Sequence, residues 1–169
     1  MQLRKSFFNT LKVAFIGHRK IERTGELQRR LADTVTTLIE KEKAETFLFG
    51  SKSEFNDLCY EIVTVLQQTY PHIRRVEIRA SNEYLPQMYI DIILKYYEET
   101  VFPECVGGAG YRAYIKRNQA MIDMCDVLIA YCDMNFKPST RTKSGTILAA
   151  EYARKKKKRI INVIESAPL

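Results

Sequence analysis

Apolar residues along this chain come in two patterns, short continuous runs and stripes recurring every three to four residues, and the two patterns follow one another in turn. Leu11-Lys12-Val13-Ala14-Phe15-Ile16-Gly17 is of the first kind and predicts a buried strand ending at a glycine, where the chain can turn with positive φ. Over residues 23–43, Leu27, Leu31, Val35, Leu38 and Ile39 fall at i, i+4, i+8, i+11 and i+12, an apolar stripe on a charged helix. Thr46-Phe47-Leu48-Phe49-Gly50 predicts a second strand. Phe55, Leu58, Cys59, Ile62, Val63 and Leu66 mark the helix after it, with Ser53 as its cap.

Tyr70-Pro71 breaks that helix, and residues 73–80 alternate as a third strand. Residues 81–110 are less regular: an aromatic, helix-like run over 87–98 is followed by Pro103, Gly107, Gly108 and Gly110, which predicts a helix and an irregular loop. Residues 111–124 return to a helical period. Asp126-Val127-Leu128-Ile129-Ala130-Tyr131-Cys132 is a fourth strand, a polar loop runs to Lys143, Ser144 opens a helix to about Lys157, and residues 159–164 close a fifth strand. Five apolar strands separated by amphipathic helices imply a mostly parallel sheet of about five strands covered on both faces, because parallel neighbours require crossovers. The predicted fold is a Rossmann-like, doubly wound, three-layer α/β/α sandwich. It spans residues 1–169 as one domain, with its core at 11–164 and a helical and loop insertion at 81–111.

Composition narrows the classes. With 169 residues, 46% of them hydrophobic, the chain is long enough to bury a core without disulfides or metal. Disorder, collagen and coiled coil are excluded. Apolar stretches such as Val127 to Ala130 fall far short of the ~20 residues of a membrane span, and the basic start lacks a signal-peptide apolar region, so a soluble, cytoplasmic protein with no membrane partner is expected. Cys59, Cys105, Cys125 and Cys132 show no CxxC spacing, and with only His18 and His72 beside them no metal cluster is expected. The 27 Lys and Arg against 20 Asp and Glu give a net charge of +7, compatible with phosphate-bearing partners but spread over most of the chain.

In a doubly wound sheet, ligands sit beyond the carboxyl ends of the strands near the switch in strand order, which directs attention to loops 17–22, 50–54 and 133–146. Gly17-His18-Arg19 offers a guanidinium fork for phosphate or carboxylate, against the plainer reading of a surface ion pair and a packed histidine. Gly50-Ser51-Lys52-Ser53 is a second small, donor-rich turn. In Thr140-Arg141-Thr142-Lys143-Ser144-Gly145-Thr146, Ser144, Gly145 and Thr146 fall at a helix N-terminus, where unpaired N–H groups suit an anion, and Arg141 and Lys143 add charge; the plainer reading is a helix cap. GxGxxG and GxxxxGK[ST] are both absent, against a conventional dinucleotide dehydrogenase or P-loop hydrolase. Gly107-Gly108-Ala109-Gly110 follows no strand and reads as a connector. Six of the ten tyrosines (84, 89, 96, 97, 111, 114) cluster in one segment, suited to packing, base stacking or a homodimer interface. The basic run at residues 154–159 is read as a solvated helix end complementing the dipole, with nucleic-acid contact as the alternative.

Taken in order, Phe15-Ile16-Gly17-His18-Arg19, Tyr70-Pro71-His72-Ile73, Arg117-Asn118-Gln119-Ala120-Met121-Ile122-Asp123 before Cys125-Asp126-Val127-Leu128-Ile129-Ala130, and Ser144-Gly145-Thr146 with Glu151-Tyr152-Ala153 resemble the small bacterial and phage proteins of the SLOG superfamily, named for the Smf/DprA and "lonely guy" families. The resemblance covers roughly residues 11–163. It implies a Rossmann-like domain that binds a nucleotide or nucleotide-derived ligand at the loops after the first and fourth strands. In the lonely-guy phosphoribohydrolases a PGGxGTxxE motif supplies a phosphate turn and an assisting carboxylate. Here the glutamate position is Ala149, and Glu151 lies roughly 200° further round the helix.

The leading reading is therefore a nucleotide-binding or sensor module in which Gly17, Arg19, Ser144, Gly145 and Thr146 hold phosphate and Gly50, Ser51 and Asn118 fix sugar or base. His18, Arg117 and Lys143 are further candidates, and no other cofactor is indicated. The first alternative is an N-glycosidase acting on nucleosides or nucleotides through Asp133, Asp57, Glu83 or Glu151. The second is single-stranded nucleic-acid binding.

Overall fold

A computed structural model describes residues 10–50, 52–137 and 144–164. In chain order the elements are β1 (Leu11–Gly17), α1 (Gly25–Glu42), β2 (Ala44–Phe49), α2 (Glu54–Thr69), β3 (Arg74–Ile78), α3 (Gln87–Ile93), β4 (Glu99–Val101), two short 3-10 turns, α4 (Ala113–Met124), β5 (Val127–Tyr131), α5 (Gly145–Lys155) and β6 (Arg159–Asn162). The strands form one sheet in the order β4-β3-β2-β1-β5-β6, and every neighbouring pair is parallel.

The two sheet faces follow from the two-residue period of a strand. Val13 and Phe15 of β1 point to one side, where with Phe47 and Phe49 they meet the stripe of α1 (Leu27, Leu31, Val35, Leu38) and Phe55, Leu58 and Val63 of α2. Ala14 and Ile16 point to the other, where Leu48, Val76, Ile78 and Leu128 meet Met121 and Ile122 of α4 and Ala149 and Ala153 of α5. The first face is filled by rings, Phe15 stacking on Phe49 at 5.0 Å. On the second, alanines let α5 approach closely. This is the Rossmann-like three-layer α/β/α sandwich, with β1 and β5 adjacent at the switch in strand order.

Local signals begin and end the helices. Thr24 caps α1 by accepting from the Leu27 N–H at 3.1 Å, and Ser53 caps α2 by accepting from that of Asn56 at 3.1 Å. Lys43 ends α1 in the left-handed region, with φ of 58°.

Two sequence expectations are corrected. The described residues hold six strands, because the segment 81–111 contains β4 as well as a helix and a loop, so the fourth and fifth predicted strands are β5 and β6. Three residues carry almost no periodic signal, and β4 is set in place by distant partners. Glu98, immediately before it, accepts from the Arg75 guanidinium at 2.7 Å and from the Arg75 N–H at 2.6 Å, while Arg75 also donates to Thr64 at 2.9 Å and lies over the Tyr60 ring. Burial alone would raise the Glu98 carboxyl, but these bonds hold it below its ordinary value. The second correction concerns Gly17, which does not turn with positive φ; among the described glycines only Gly108 and Gly110 do.

Candidate functional site

Gly17 ends β1 beneath the first turn of α2. A methyl group placed on it would lie 2.3 Å from ring atoms of Phe55, a separation no carbon contact tolerates. The glycine thus lets α2 close onto β1, and the space beside it holds Phe55 rather than room for a ligand. His18 follows, 7% exposed. Its N–H donates to the Tyr131 carbonyl at 3.2 Å, its Nε2 accepts from the Asp133 N–H at 2.9 Å, and its ring lies 4.6 Å from that of Phe136. An accepting Nε2 fixes the neutral imidazole with its proton on Nδ1. Burial lowers its pKa, Asp133 only partly opposing this. His18 ties the β1 and β5 loops together at the switch point.

The next residues turn outward. The Arg19 carbonyl accepts from the Glu54 N–H at 2.9 Å and the Glu54 carboxylate accepts from the Ile21 N–H at 3.0 Å, so the backbone after β1 is fastened to the start of α2. The side chains of Arg19 and Lys20 are left exposed.

After β2, Gly50 is hemmed in from below. A methyl group there would lie 2.8 Å from both Arg117 Nη1 and the Ile78 carbonyl. Arg117, on α4, is 4% exposed and lies over the Tyr114 ring; it donates from Nη1 to the carbonyls of Gly50 and, at 3.3 Å, Ile78, and from Nε to Asn118 Oδ1 at 2.9 Å. Burial draws its pKa down to about 10. It pins the carboxyl ends of β2 and β3 to α4, and Asn118 holds it in turn.

Above these ends opens a cleft of about 540 Å³. Arg19 and Lys20 from the β1 loop and Lys52 from the β2 loop supply cations. Ser53, Glu54, Asn56 and Asp57 come from the start of α2, and Glu77 and Tyr97 from the β3 side. None of the three cations forms an ion pair with a described residue. Glu77 accepts from the Thr100 hydroxyl at 3.0 Å. Burial, then the nearby charges of Glu77, Tyr60 and Asp57, push the Tyr97 phenol well up, so its hydroxyl remains a donor. The N-terminus of α2 is occupied by its own groups: Glu54 N–H donates to Arg19, Asn56 N–H to Ser53, and two carboxylates already complement the dipole.

The structure therefore brings Arg19 and Gly50 to one cleft, sets Arg117 and Asn118 directly beneath it, and gives Gly17 and His18 packing roles. Ser144, Gly145 and Thr146 begin α5 beyond β5, outside the cleft lining. Ser144 Oγ accepts from the Ile147 N–H at 3.1 Å, Thr146 is buried, and a methyl group on Gly145 would meet nothing within 4 Å. Ser51 and Lys143, with Arg141, lie outside the described residues. Ala149 is buried in the second-face core, among apolar neighbours. Of the four carboxylates considered for sugar chemistry, Asp57 alone lines the cleft; Asp133 Oδ1 accepts from the Asn135 N–H at 2.8 Å, Glu83 lies beside Gly107, and Glu151 is on α5. Glu77 escaped the sequence reading, and Tyr97 entered it only as one of the clustered tyrosines suited to packing, base stacking or a homodimer interface. A carboxylate one residue from the end of a buried parallel strand is the signal that points to Glu77.

A second concavity, about 450 Å³, lies between α1 and β6, lined among others by Arg29, Arg30 and Arg159. There Arg30 pairs with Glu26 at 2.9 Å and Arg159 with Glu42 at 2.5 Å. The basic run after α5 is engaged too, Lys156 with Asp123 at 3.2 Å and Lys158 with the Cys125 carbonyl at 2.7 Å. Among the described residues no three metal-ligating side chains gather, and no helix is long and apolar enough to cross a membrane. All four cysteines are free, with Cys105 alone exposed. No known family model matches the chain, and no curated protein is similar enough to be matched.

Proposed function

We propose that the chain is a binding or sensor module for a nucleotide or nucleotide-derived ligand, held in the cleft over β1, β2 and β3. The observation that carries this reading is the division of charge there. Arg19, Lys20 and Lys52, without ion-pair partners among the described residues, stand on the side of β1 and β2, where the Glu54 carboxylate is already occupied by the Ile21 N–H, and Glu77 and the Tyr97 hydroxyl stand on the side of β3, with Asp57 of α2 near Tyr97. A phosphate suits the first group, above all the planar fork of Arg19. Ribose hydroxyls suit the second, where carboxylates accept and a tyrosine donates. The resemblance to SLOG proteins agrees with such a ligand, and the α5 turn at Ser144-Gly145-Thr146 is a second phosphate contact under the same proposal.

Calorimetric titration with nucleoside 5′-monophosphates and diphosphates tests it. The Arg19→Ala/Lys52→Ala variant loses at least tenfold in affinity, about 1.4 kcal/mol, and Glu77→Gln reduces the preference for ribo- over 2′-deoxyribonucleotides. At Gly145 a methyl group meets no described atom within 4 Å, so Gly145→Ala leaves affinity unchanged while Gly145→Asp lowers it by charge repulsion at the α5 turn. Unchanged affinity in Arg19→Ala/Lys52→Ala, Glu77→Gln and Gly145→Asp alike would sink the reading.

Of the three cleft carboxylates, Asp57 and Glu77, the two not taken up by the Ile21 N–H, favour one further reading, cleavage of an N-glycosidic bond. One carboxylate would take a proton from the water attacking the anomeric carbon, while the second, protonated, gives its proton to the base as the C1′–N bond breaks. Release of free base from nucleotides, lost in Asp57→Asn and Glu77→Gln, is its signature; no release at high protein concentration rules it out. Single-stranded nucleic acid is the weaker partner, since much of the basic run after α5 is already engaged, and it would betray itself by affinity falling steeply with salt.

A further inference from the structure

Ten large apolar or aromatic side chains are exposed on the described residues, and eight of them lie between Tyr84 and Tyr114, which makes the exposure regional instead of scattered. Tyr84, Met88, Tyr89, Ile92, Leu94 and Tyr96 come from α3 and its flanks. Tyr111, in the short turn before α4, and Tyr114, in its first turn, are exposed as well. Glu83 lies against Gly107, folding the two ends of the insertion together. No residue of α3 is buried, although the helix reads Gln-Met-Tyr-Ile-Asp-Ile-Ile. A seven-residue helix that apolar would not stand in water for its own sake, being far below the length at which helices hold alone.

We propose that this face is an isologous interface and that its occupant is a second copy of the chain. Three observations select that partner. The first is area: Tyr84, Tyr89 and Tyr96, exposed by 88%, 51% and 59%, present on the order of 400 Å² at roughly 200 Å² per ring side chain, before Met88, Ile92 and Leu94 are added. With those three the stretch reaches the top of the ~300–600 Å² of the largest patch usual on a monomer and approaches the ~800 Å² each partner gives to a stable interface. The second is charge. In a chain of net charge +7, residues 84–97 carry only Asp91 and Lys95, one of each sign, which offers nothing to a nucleic acid or an anionic membrane. The third is their placement. Lys95 lies past the end of α3 and forms no ion pair with a described residue, and Asp91 accepts only from Gln87 at 2.8 Å. A two-fold axis crossing α3 sets Asp91 of each copy opposite Lys95 of the other, the self-complementary arrangement such an axis demands. The segment then runs on to Tyr97 in the cleft wall, and the Tyr60 hydroxyl donates to the Tyr96 carbonyl at 2.7 Å, so the interface abuts the candidate site.

Sedimentation velocity on the full chain at micromolar concentration tests the proposal. The protein sediments as a dimer, and Met88→Asp/Ile92→Asp sediments as a monomer with its circular dichroism unchanged, because neither side chain is buried, and with a Tm lowered only by the concentration-dependent stabilisation that association gave. Asp91→Lys and Lys95→Asp each weaken the dimer at least fivefold in Kd, and the double reversal restores it. A monomeric wild-type chain, a dimer that survives Met88→Asp/Ile92→Asp, or a double reversal no better than the single ones would each overturn the proposal, and the second of these would place the contact on another face.

Discussion

The cleft over β1–β3 and the groove between α1 and β6 have similar size and similar stocks of charge, yet they differ in what those charges do. In the groove, Arg30 and Arg159 are paired with Glu26 and Glu42, two of its three arginines, while Arg29 and Asp33 form no ion pair with a described residue. In the cleft, Arg19, Lys20 and Lys52 face Asp57 and Glu77 and form no pair with them. Opposite charges brought into one cavity and held apart leave their interactions to be completed by something else, whereas paired charges are already satisfied. Counting arginines and lysines therefore cannot tell a site from a surface. Their pairing can.

The sharpest way to break this contrast is to attack the frame that holds the cleft charges apart. Gly17→Val puts carbon into the Phe55 ring and, as overpacking, costs roughly 1–3 kcal/mol or more; urea denaturation shows the loss, and nucleotide affinity falls with it. Arg117→Met removes the buried guanidinium and leaves the carbonyls of Gly50 and Ile78 short of a donor, at about 1–3 kcal/mol. Its effect on binding is indirect, so Kd rises while the ribo preference set by Glu77 persists.

A smaller effect comes from pH. The folded His18 has a lowered pKa because burial disfavours its imidazolium, so as pH falls below about 6.5 the unfolded chain takes up the proton first. Stability is lost from there downward until the folded ring itself protonates. A Tm profile between pH 7.5 and 5 shows this decline, and His18→Gln flattens it. Below that range Glu98, held low by Arg75, loses its contribution as pH falls from the ordinary carboxylate range through its folded value. The smallest effect belongs to the groove: Arg159→Ala, half exposed, costs less than about 1 kcal/mol and leaves nucleotide binding untouched. A loss of affinity there, with none from Arg19→Ala/Lys52→Ala, would reverse the assignment of the two cavities.

The order of strands and helices was legible because it rests on local periodicity. The stripe of Leu27, Leu31, Val35, Leu38 and Ile39 is the buried face of α1, and the Ser53 cap sits where its hydroxyl suggested. β4 was not legible, since three residues hold no period and its position depends on Arg75, more than twenty residues earlier. The candidate site was legible in part. The loops after β1 and β2 could be singled out from the general rule for doubly wound sheets, and Arg19 and Gly50 do line the cleft. The reasons for Gly17 and Gly50 were not, because Phe55 and Arg117 approach them from other elements.

What the sequence determined by itself is whatever is encoded over a few neighbouring residues: strand and helix periods, caps, the absence of long apolar spans, and the parallel sheet that alternating elements require. Tertiary structure decided which charges meet. Whether an arginine is spent on a glutamate, buried beneath a glycine or left facing a cleft depends on distances across the fold between residues far apart in the chain, and Coulomb and hydrogen-bond energies change with those distances, not with residue type.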